Sequence, residues 1–374
     1  MKRVGWIILS VMASCGVLRG APFTPGDLVI YRVGDGSSSL VNTGNPVFLD
    51  EYTPTGVLVQ SIALPSTGPN ALIASGTAGT EGMLNFSPDG QFLAVTGYNT
   101  TTGGSTSLAN TAAATVNRIV DILDLNGNIL SSTKLSDFAD ANNPRTAITT
   151  NGTDIWVGGG AGGVRYTTAG STTSTPLNTT YTNIRDVQIA GGQLYVATQT
   201  GSAPFRVGSV GSGTPTTGGQ TIANLPGLTT TGLNPETFVF ADLSAGVTGF
   251  DTLYVADATA NLIKKFSLVS GNWMASGSVA ASAVRGLSLS LDGGNLDLFG
   301  TSNGASNTSG ILYKFVDNTG YNGTISGNAS TLATLGANET FRGIATVVPE
   351  PSTVSLLFGG VLLAAAQYLR RRRY

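Results

Sequence analysis

One unit recurs along most of this 374-residue chain and limits what it can fold into. It consists of a strand of alternating residues, a glycine-containing turn, a second apolar strand and then a third. The clearest copy runs Ile184-Arg185-Asp186-Val187-Gln188-Ile189, turns at Ala190-Gly191-Gly192, continues as Gln193-Leu194-Tyr195-Val196-Ala197 and ends with Phe205-Arg206-Val207. A second starts at Val284-Arg285-Gly286-Leu287-Ser288-Leu289, turns at Asp292-Gly293-Gly294 and includes Ile311-Leu312-Tyr313-Lys314-Phe315. Further copies begin at Met83, Pro144 and Thr237, so five follow one another at spacings of roughly 40 to 60 residues. Period-two alternation sets one row of side chains against a neighbouring sheet and the other row opposite. Asp-Gly and Asn-Gly supply the positive φ that tight hairpins need.

Repeats of this length, with three or four strands each, predict an all-β fold of the β-propeller type. The N-terminal region offers strands at Leu28–Val33, Val47–Tyr52 and Leu58–Ala63 but no matching first strand. Phe341-Arg342-Gly343-Ile344-Ala345-Thr346 supplies it from the other end and matches Val284-Arg285-Gly286-Leu287. A C-terminal strand completing a blade begun at the N-terminus would close the ring and remove two sheet edges. Six blades are expected, or seven if residues 97–117 or 208–232 hold a degenerate copy. A β-helix or a pair of β-sandwiches is the rival. Phe86-Ser87-Pro88-Asp89-Gly90-Gln91-Phe92-Leu93-Ala94-Val95 resembles the hairpin common in tryptophan–aspartate and YVTN-type propellers. The Thr-, Ser-, Gly- and Asn-rich runs at 99–115, 167–182 and 208–220 read as surface loops, and no helix is expected outside the two ends.

Both ends carry addresses. Lys2-Arg3 followed by the apolar Val4–Val17 has the form of a secretory signal peptide, placed at 1–20. Val11-Met12-Ala13-Ser14-Cys15 also loosely resembles a lipobox, in which Cys15 would be lipidated. At the other end, Pro349-Glu350-Pro351 precedes an apolar run from Val354 to Leu369 and then Arg370-Arg371-Arg372-Arg373. Sixteen helical residues span about 24 Å, enough to cross a thin bilayer when counted from Pro351. Arginines beside such a helix stay cytoplasmic, which leaves the body (22–346) outside. Residues 349–374 resemble the PEP-CTERM sorting signal of bacterial envelope proteins. The resemblance implies recognition of Pro349, Glu350 and Pro351 by an exosortase, a membrane cysteine protease. It also implies an envelope or exopolysaccharide setting.

Composition then excludes several functions. Cys15 is the only cysteine, so the exported body forms no internal disulfide and no cysteine-based metal site. There is no histidine, which removes Ser-His-Asp catalysis and imidazole-ligated metals. The body holds twelve of the nineteen Lys and Arg and twenty of the twenty-one Asp and Glu, a net charge near −8 with no basic run. Nucleic acid is not an expected partner. No cofactor, metal ligand or catalytic residue is assigned. Asp50-Glu51 diverge on adjacent strand positions, and Asp121 and Asp124 also fall on opposite faces. Asp124-Leu125-Asn126-Gly127-Asn128 lacks the spacing and distal glutamate of a calcium loop and reads as a hairpin turn. The Gly158–Gly163 cluster is followed by no helix to receive a phosphate.

Arg145, Arg185, Arg285 and Arg342 sit at or near one position of the innermost strands. Together they would make an electropositive ring for acidic sugars or another anion; alternatively, each pairs with a neighbouring blade's carboxylate or carbonyl. The expected function is a non-enzymatic, exported protein that binds or scaffolds polysaccharide or protein at the cell surface. The alternative is a surface hydrolase or lyase that works in the central channel.

Overall fold

Half-buried strands need a partner surface on each apolar row, and in this chain they find it in one another. The computed structural model describes residues 21–292, 295–303 and 309–348. The signal-like 1–20, with Cys15, and the tail 349–374, with Pro349-Glu350-Pro351 and Arg370 to Arg373, lie outside the described residues. Among the described residues no helix is long and apolar enough to cross a membrane. The helical structure there is one 3-10 turn, Leu108–Asn110.

The strands in chain order are β1 (Leu28–Val33), β2 (Asn45–Tyr52), β3 (Leu58–Ala63), β4 (Ile73–Ala74), β5 (Asn85–Phe86), β6 (Leu93–Tyr98), β7 (Arg118–Leu123) and β8 (Ile129–Leu135). Four separate four-stranded sheets follow. The first comprises β9 (Pro144–Thr149), β10 (Asp154–Gly159), β11 (Val164–Thr168) and β12 (Thr175–Asn178). The second comprises β13 (Ile184–Ala190), β14 (Gln193–Thr198), β15 (Val207–Val210) and β16 (Ile222–Asn224). The third comprises β17 (Pro235–Ala241), β18 (Thr252–Asp257), β19 (Leu262–Val269) and β20 (Asn272–Ala280). The fourth comprises β21 (Val284–Asp292), β22 (Asn295–Ser302), β23 (Ile311–Asp317) and β24 (Ser330–Thr334). The last strand, β25 (Thr340–Thr346), pairs antiparallel with β1.

This corrects the expectation of six separate blades. Four blades stand alone, and the other nine strands form one continuous sheet. Within it β25-β1-β2-β3 pair in succession, as do β5-β6-β7-β8. The two-residue β4 pairs with both β2 and β6, which makes the hydrogen bonding continuous. The body is an all-β, propeller-like fold.

Six apolar cores lie where neighbouring four-strand units face each other. Trp156 and Val164 meet Val187 and Phe205, Val207 meets Phe238 and Val255, and Tyr254 and Ile263 meet Val284 and Leu298. Phe299 and Leu312 meet Leu28 and Phe341, Val29 and Tyr31 meet Leu93 and Val95, and Val120 and Ile122 meet Ile155 and Val157. The series returns to its start, so every unit is held on two sides. Each fully buried Leu, Val or Phe contributes about 1.5–3 kcal/mol, which replaces the disulfides the body cannot make.

Candidate functional site

The first strands of the units make the inner wall. In the circuit β25, β5, β9, β13, β17, β21 and back to β25, each strand contacts the next. Five of the six carry a register shift at the same place. It falls between Ile184 and Asp186 in β13, Pro235 and Thr237 in β17, and Val284 and Gly286 in β21. In β9 it leaves out Arg145, and in β25 it falls at Arg342-Gly343. A β-bulge adds one residue, bends the strand and re-aims the side chain. In this protein the extra residue is charged every time: Arg145, Arg185, Glu236, Arg285 and Arg342.

The sixth position is Glu81, just before β5. Its neighbours fix it between two ring strands: Gly343 N donates to Gly82 O at 3.0 Å and Met83 N to Arg145 O at 2.8 Å. The approach leaves no room for a side chain, since a Cβ on Gly343 would collide with backbone at Gly82 and Leu84. One end of the inner wall is therefore ringed by four arginines and two glutamates, with Arg342 and Glu81 themselves buried. With every group ionised it carries +2, inside a body whose net charge is near −8.

The four predicted arginines do come together, and their partners differ. Arg185 and Arg285 both close on Glu236, with Nη1 to carboxylate distances of 3.2 and 2.6 Å. Gln199 Nε2 also donates to Glu236 at 3.1 Å. Arg145 has no carboxylate: its Nη1 donates to Asn183 Oδ1 at 2.6 Å and Ile184 O at 3.1 Å. Arg342, fully buried, donates to Thr340 Oγ1 at 3.0 Å and to the Phe341 and Gly76 carbonyls at 3.2 Å each. Pairing with carboxylates and carbonyls therefore accounts for part of the ring. It does not account for all of it. Among the described residues the Nε of Arg145, Arg185, Arg285 and Arg342 is buried with no acceptor, and Nη2 of Arg145, Arg185 and Arg285 donates to no group.

Burial shifts these groups further. It pulls Arg145 down to about 9, with Arg185 adding like-charge repulsion, and pulls Arg342 down to about 10; both stay cationic at neutral pH. Burial pushes Glu81 up to about 7, although Asn143, Arg342, Ser75 and Tyr98 draw it back. Both oxygens of Glu81 are engaged: Ser75 N donates at 2.6 Å, and Tyr98 Oη and Asn143 Nδ2 at 3.1 Å.

A polar layer spans the first strands below the ring. Asp186 accepts from Thr146 Oγ1 at 3.0 Å and from Gln188 Nε2 at 3.1 Å. Asn85 Nδ2 donates to Thr146 Oγ1 at 3.1 Å, Ala147 O at 3.0 Å and Val187 O at 3.2 Å. Burial pushes Asp186 up to about 6, against hydrogen bonds from Gln188, Thr146, Phe238 and Asn85. Beyond this layer the opposite mouth opens into an apolar cavity of about 520 Å³, lined by Leu84, Phe86, Val239, Phe240, Leu289 and Val347.

Of the remaining acidic candidates, Asp121 is buried on β7 with no hydrogen-bond partner, and the others are spoken for. Asp50 pairs with Arg32 at 2.5 Å, and Glu51 accepts from Thr24 N at 2.5 Å. Asp124 spends both oxygens on Asn126 and Asn128 in the β7–β8 hairpin. Among the described residues no three Cys, Asp or Glu side chains gather as a metal site.

Sequence reading missed Glu81 and Glu236. The clue was the shared frame Glu81-Gly82, Arg285-Gly286 and Arg342-Gly343, in which charge is kept while its sign varies.

No family model and no curated protein matches the chain. Solved structures similar to it include the periplasmic gluconolactonase of Pseudomonas aeruginosa, at 14% identity over 82% of this chain and 83% of that one, with a TM-score of 0.44. A protein of unknown function from Bacteroides caccae has 12% identity over 85% and 99%, with a TM-score of 0.45. A functionally unknown protein from Desulfotomaculum acetoxidans has 16% identity over 86% and 99%, with a TM-score of 0.44. Likeness of this degree carries no inference about what this chain binds or does.

Proposed function

We propose that the chain is an exported, surface-displayed binding protein that holds an acidic ligand at the charged mouth. The body is read as a six-bladed propeller in which β4 fuses two blades. The observation that carries the function is the ring itself: four arginines at bulged, equivalent positions, three of them with a terminal nitrogen that no described group accepts from. Guanidinium donors that no described group accepts from suit an acidic ligand. An acidic polysaccharide or an acidic surface protein supplies such acceptors. In this reading residues 1–20 direct export, and the tail is an exosortase-type sorting signal whose apolar run holds the chain in the membrane, arginines inward, until it is processed near Pro349-Glu350-Pro351.

The binding test is retention of the protein on an immobilised acidic polysaccharide. Arg145→Gln and the double variant Arg185→Gln/Arg285→Gln are expected to elute early while keeping the wild-type circular dichroism. Unchanged retention in folded variants overturns the reading. Mass spectrometry of the native surface protein tests the sorting: a chain that still ends at Tyr374 is incompatible with it.

The hydrolase alternative draws on Glu81 and Glu236, three positions apart around the ring and set in different environments. Both oxygens of Glu81 are already hydrogen-bonded, and Glu236 sits between two guanidinium groups. Neither is placed as a free acid or nucleophile, which favours binding over hydrolysis.

A further inference from the structure

We infer that the group seated at the charged mouth is one compact dianion, such as a phosphate monoester or a dicarboxylate, and not a run of single charges. The inference rests on the anion-binding reading and narrows it. Three observations point to it.

The first is charge. The ring sums to +2 when both glutamates are ionised, so one dianion neutralises it and a monoanion leaves it half compensated. The second is confinement. The ring gathers four arginines against two glutamates at one end of the inner wall, while the body as a whole is near −8. An extended polyanion lying across that body meets mostly like charge, whereas a compact group projecting into the mouth does not.

The third is the arrangement of donors. Glu236 already occupies one side as an internal anion shared by Arg185 and Arg285. Arg145, 6% exposed, has no carboxylate of its own. Its free Nη2 and those of Arg185 and Arg285 belong to neighbouring ring strands, β9, β13 and, past Glu236 on β17, β21. A doubly charged group with several acceptor oxygens can bridge them; a single carboxylate has fewer oxygens to offer.

Titration calorimetry on the full chain in mild detergent, at constant ionic strength, separates the possibilities. The probes are phenyl phosphate, phenyl sulfate (similar in shape but singly charged), succinate and acetate. At pH 8 phenyl phosphate is expected to bind one to one and at least about tenfold more tightly than phenyl sulfate. Succinate is expected to exceed acetate likewise, and whichever dianion binds better tells phosphate from dicarboxylate. At pH 5 phenyl phosphate, with a second pKa of about 6, becomes a monoanion and its advantage should collapse. Phenyl sulfate does not titrate and should hold or gain, because protonation of Glu81 makes the ring more positive. Arg145→Gln should weaken phenyl phosphate about tenfold. Glu236→Gln, which removes the internal competitor and raises the ring charge, should strengthen it.

Equal binding of the singly and doubly charged probes overturns the inference, as does a loss of affinity in Glu236→Gln with the fold intact. If polygalacturonate is retained while no small dianion binds, the inference fails and the broader reading stands. If neither binds, both fail.

Discussion

Lys265 Nζ lies 2.7 Å from Asp317 Oδ2, and both side chains are wholly buried. The pair links β19 in one sheet to the end of β23 in the next. Tyr254 Oη donates to the same Asp317 oxygen at 2.5 Å, and Lys265 also reaches Gly320 O at 2.6 Å. Breaking one side of such a pair strands a buried charge. Lys265→Ala should therefore cost about 3–5 kcal/mol in urea unfolding. The double variant Lys265→Met/Asp317→Leu should cost less than the single change. A larger loss in the double variant means that packing, and not the stranded charge, sets the cost. Burial alone would raise Asp317, but hydrogen bonds from Lys265, Thr319 and Tyr254 hold its carboxyl below the ordinary range. Its stabilising contribution is thus present at neutral pH and disappears as pH falls through that lowered pKa.

Asp121 gives the opposite sign. It is fully buried on β7, neither oxygen has a hydrogen-bond partner, and burial pushes it up to about 7 against Ser132 and Lys134. The folded state holds a proton that the unfolded chain releases near 4. Stability should therefore fall as pH rises from about 4 through 7 and level off above, by a few kcal/mol in order of magnitude. Asp121→Asn should be more stable than the parent at pH 8 and should remove much of that slope. Thermal melts at a series of pH values check this, and parallel profiles for parent and variant contradict it. Glu81 and Asp186, at about 7 and about 6, add slopes of the same sign that Asp121→Asn leaves in place.

The inner strands were readable in the sequence because their burial follows their alternation. Val187, Ile189, Leu194 and Val196 were all expected apolar and are all buried. Most of the outermost strands were not readable; β3, expected at Leu58–Ala63 and found there, is the exception. β12 and β24 are four and five residues long, with one leucine each. Each places only one or two apolar side chains against a core, too few to show a period. β12 accordingly lies inside the run taken as a loop at 167–182, and the third strand of the clearest copy starts at Val207, not Phe205. The fusion through β4 was equally silent, since two residues pairing on both sides leave no period to detect. The ring arginines stood out by repetition, while Glu81 and Glu236 were hidden by their change of sign at the equivalent position.

Glu236→Gln should weaken the unliganded protein and strengthen its hold on an anion. Arg185 and Arg285 lose their shared carboxylate, which should cost about 2–3 kcal/mol, less than for a fully buried pair because the Arg285 side chain is 22% exposed. A dianion at about a hundred times its dissociation constant should return about 2.7 kcal/mol. The melting temperature of Glu236→Gln should thus depend more steeply on phenyl phosphate than that of the parent. Equal dependence would mean that Glu236 does not occupy the ligand's place.

The join between β25 and β1 sets where the chain can be cut. Ile30 faces Ile344 across the pair, Phe341 packs edge-on against Tyr52 at 5.9 Å, and Val347 N donates to Asp27 O at 2.8 Å. Val348, by contrast, is 45% exposed. A chain ending at Val348 retains every one of these contacts and should unfold within about 0.5 kcal/mol of the full body. A chain ending at Asn338 loses β25, leaves Leu28 and Ile30 on an open edge, and should self-associate through β1. Size-exclusion chromatography and melts of the two truncations decide it. If the Val348 chain is as unstable as the Asn338 chain, residues beyond the last strand help to hold the fold. Processing near Pro349 would then dismantle the body it is proposed to release.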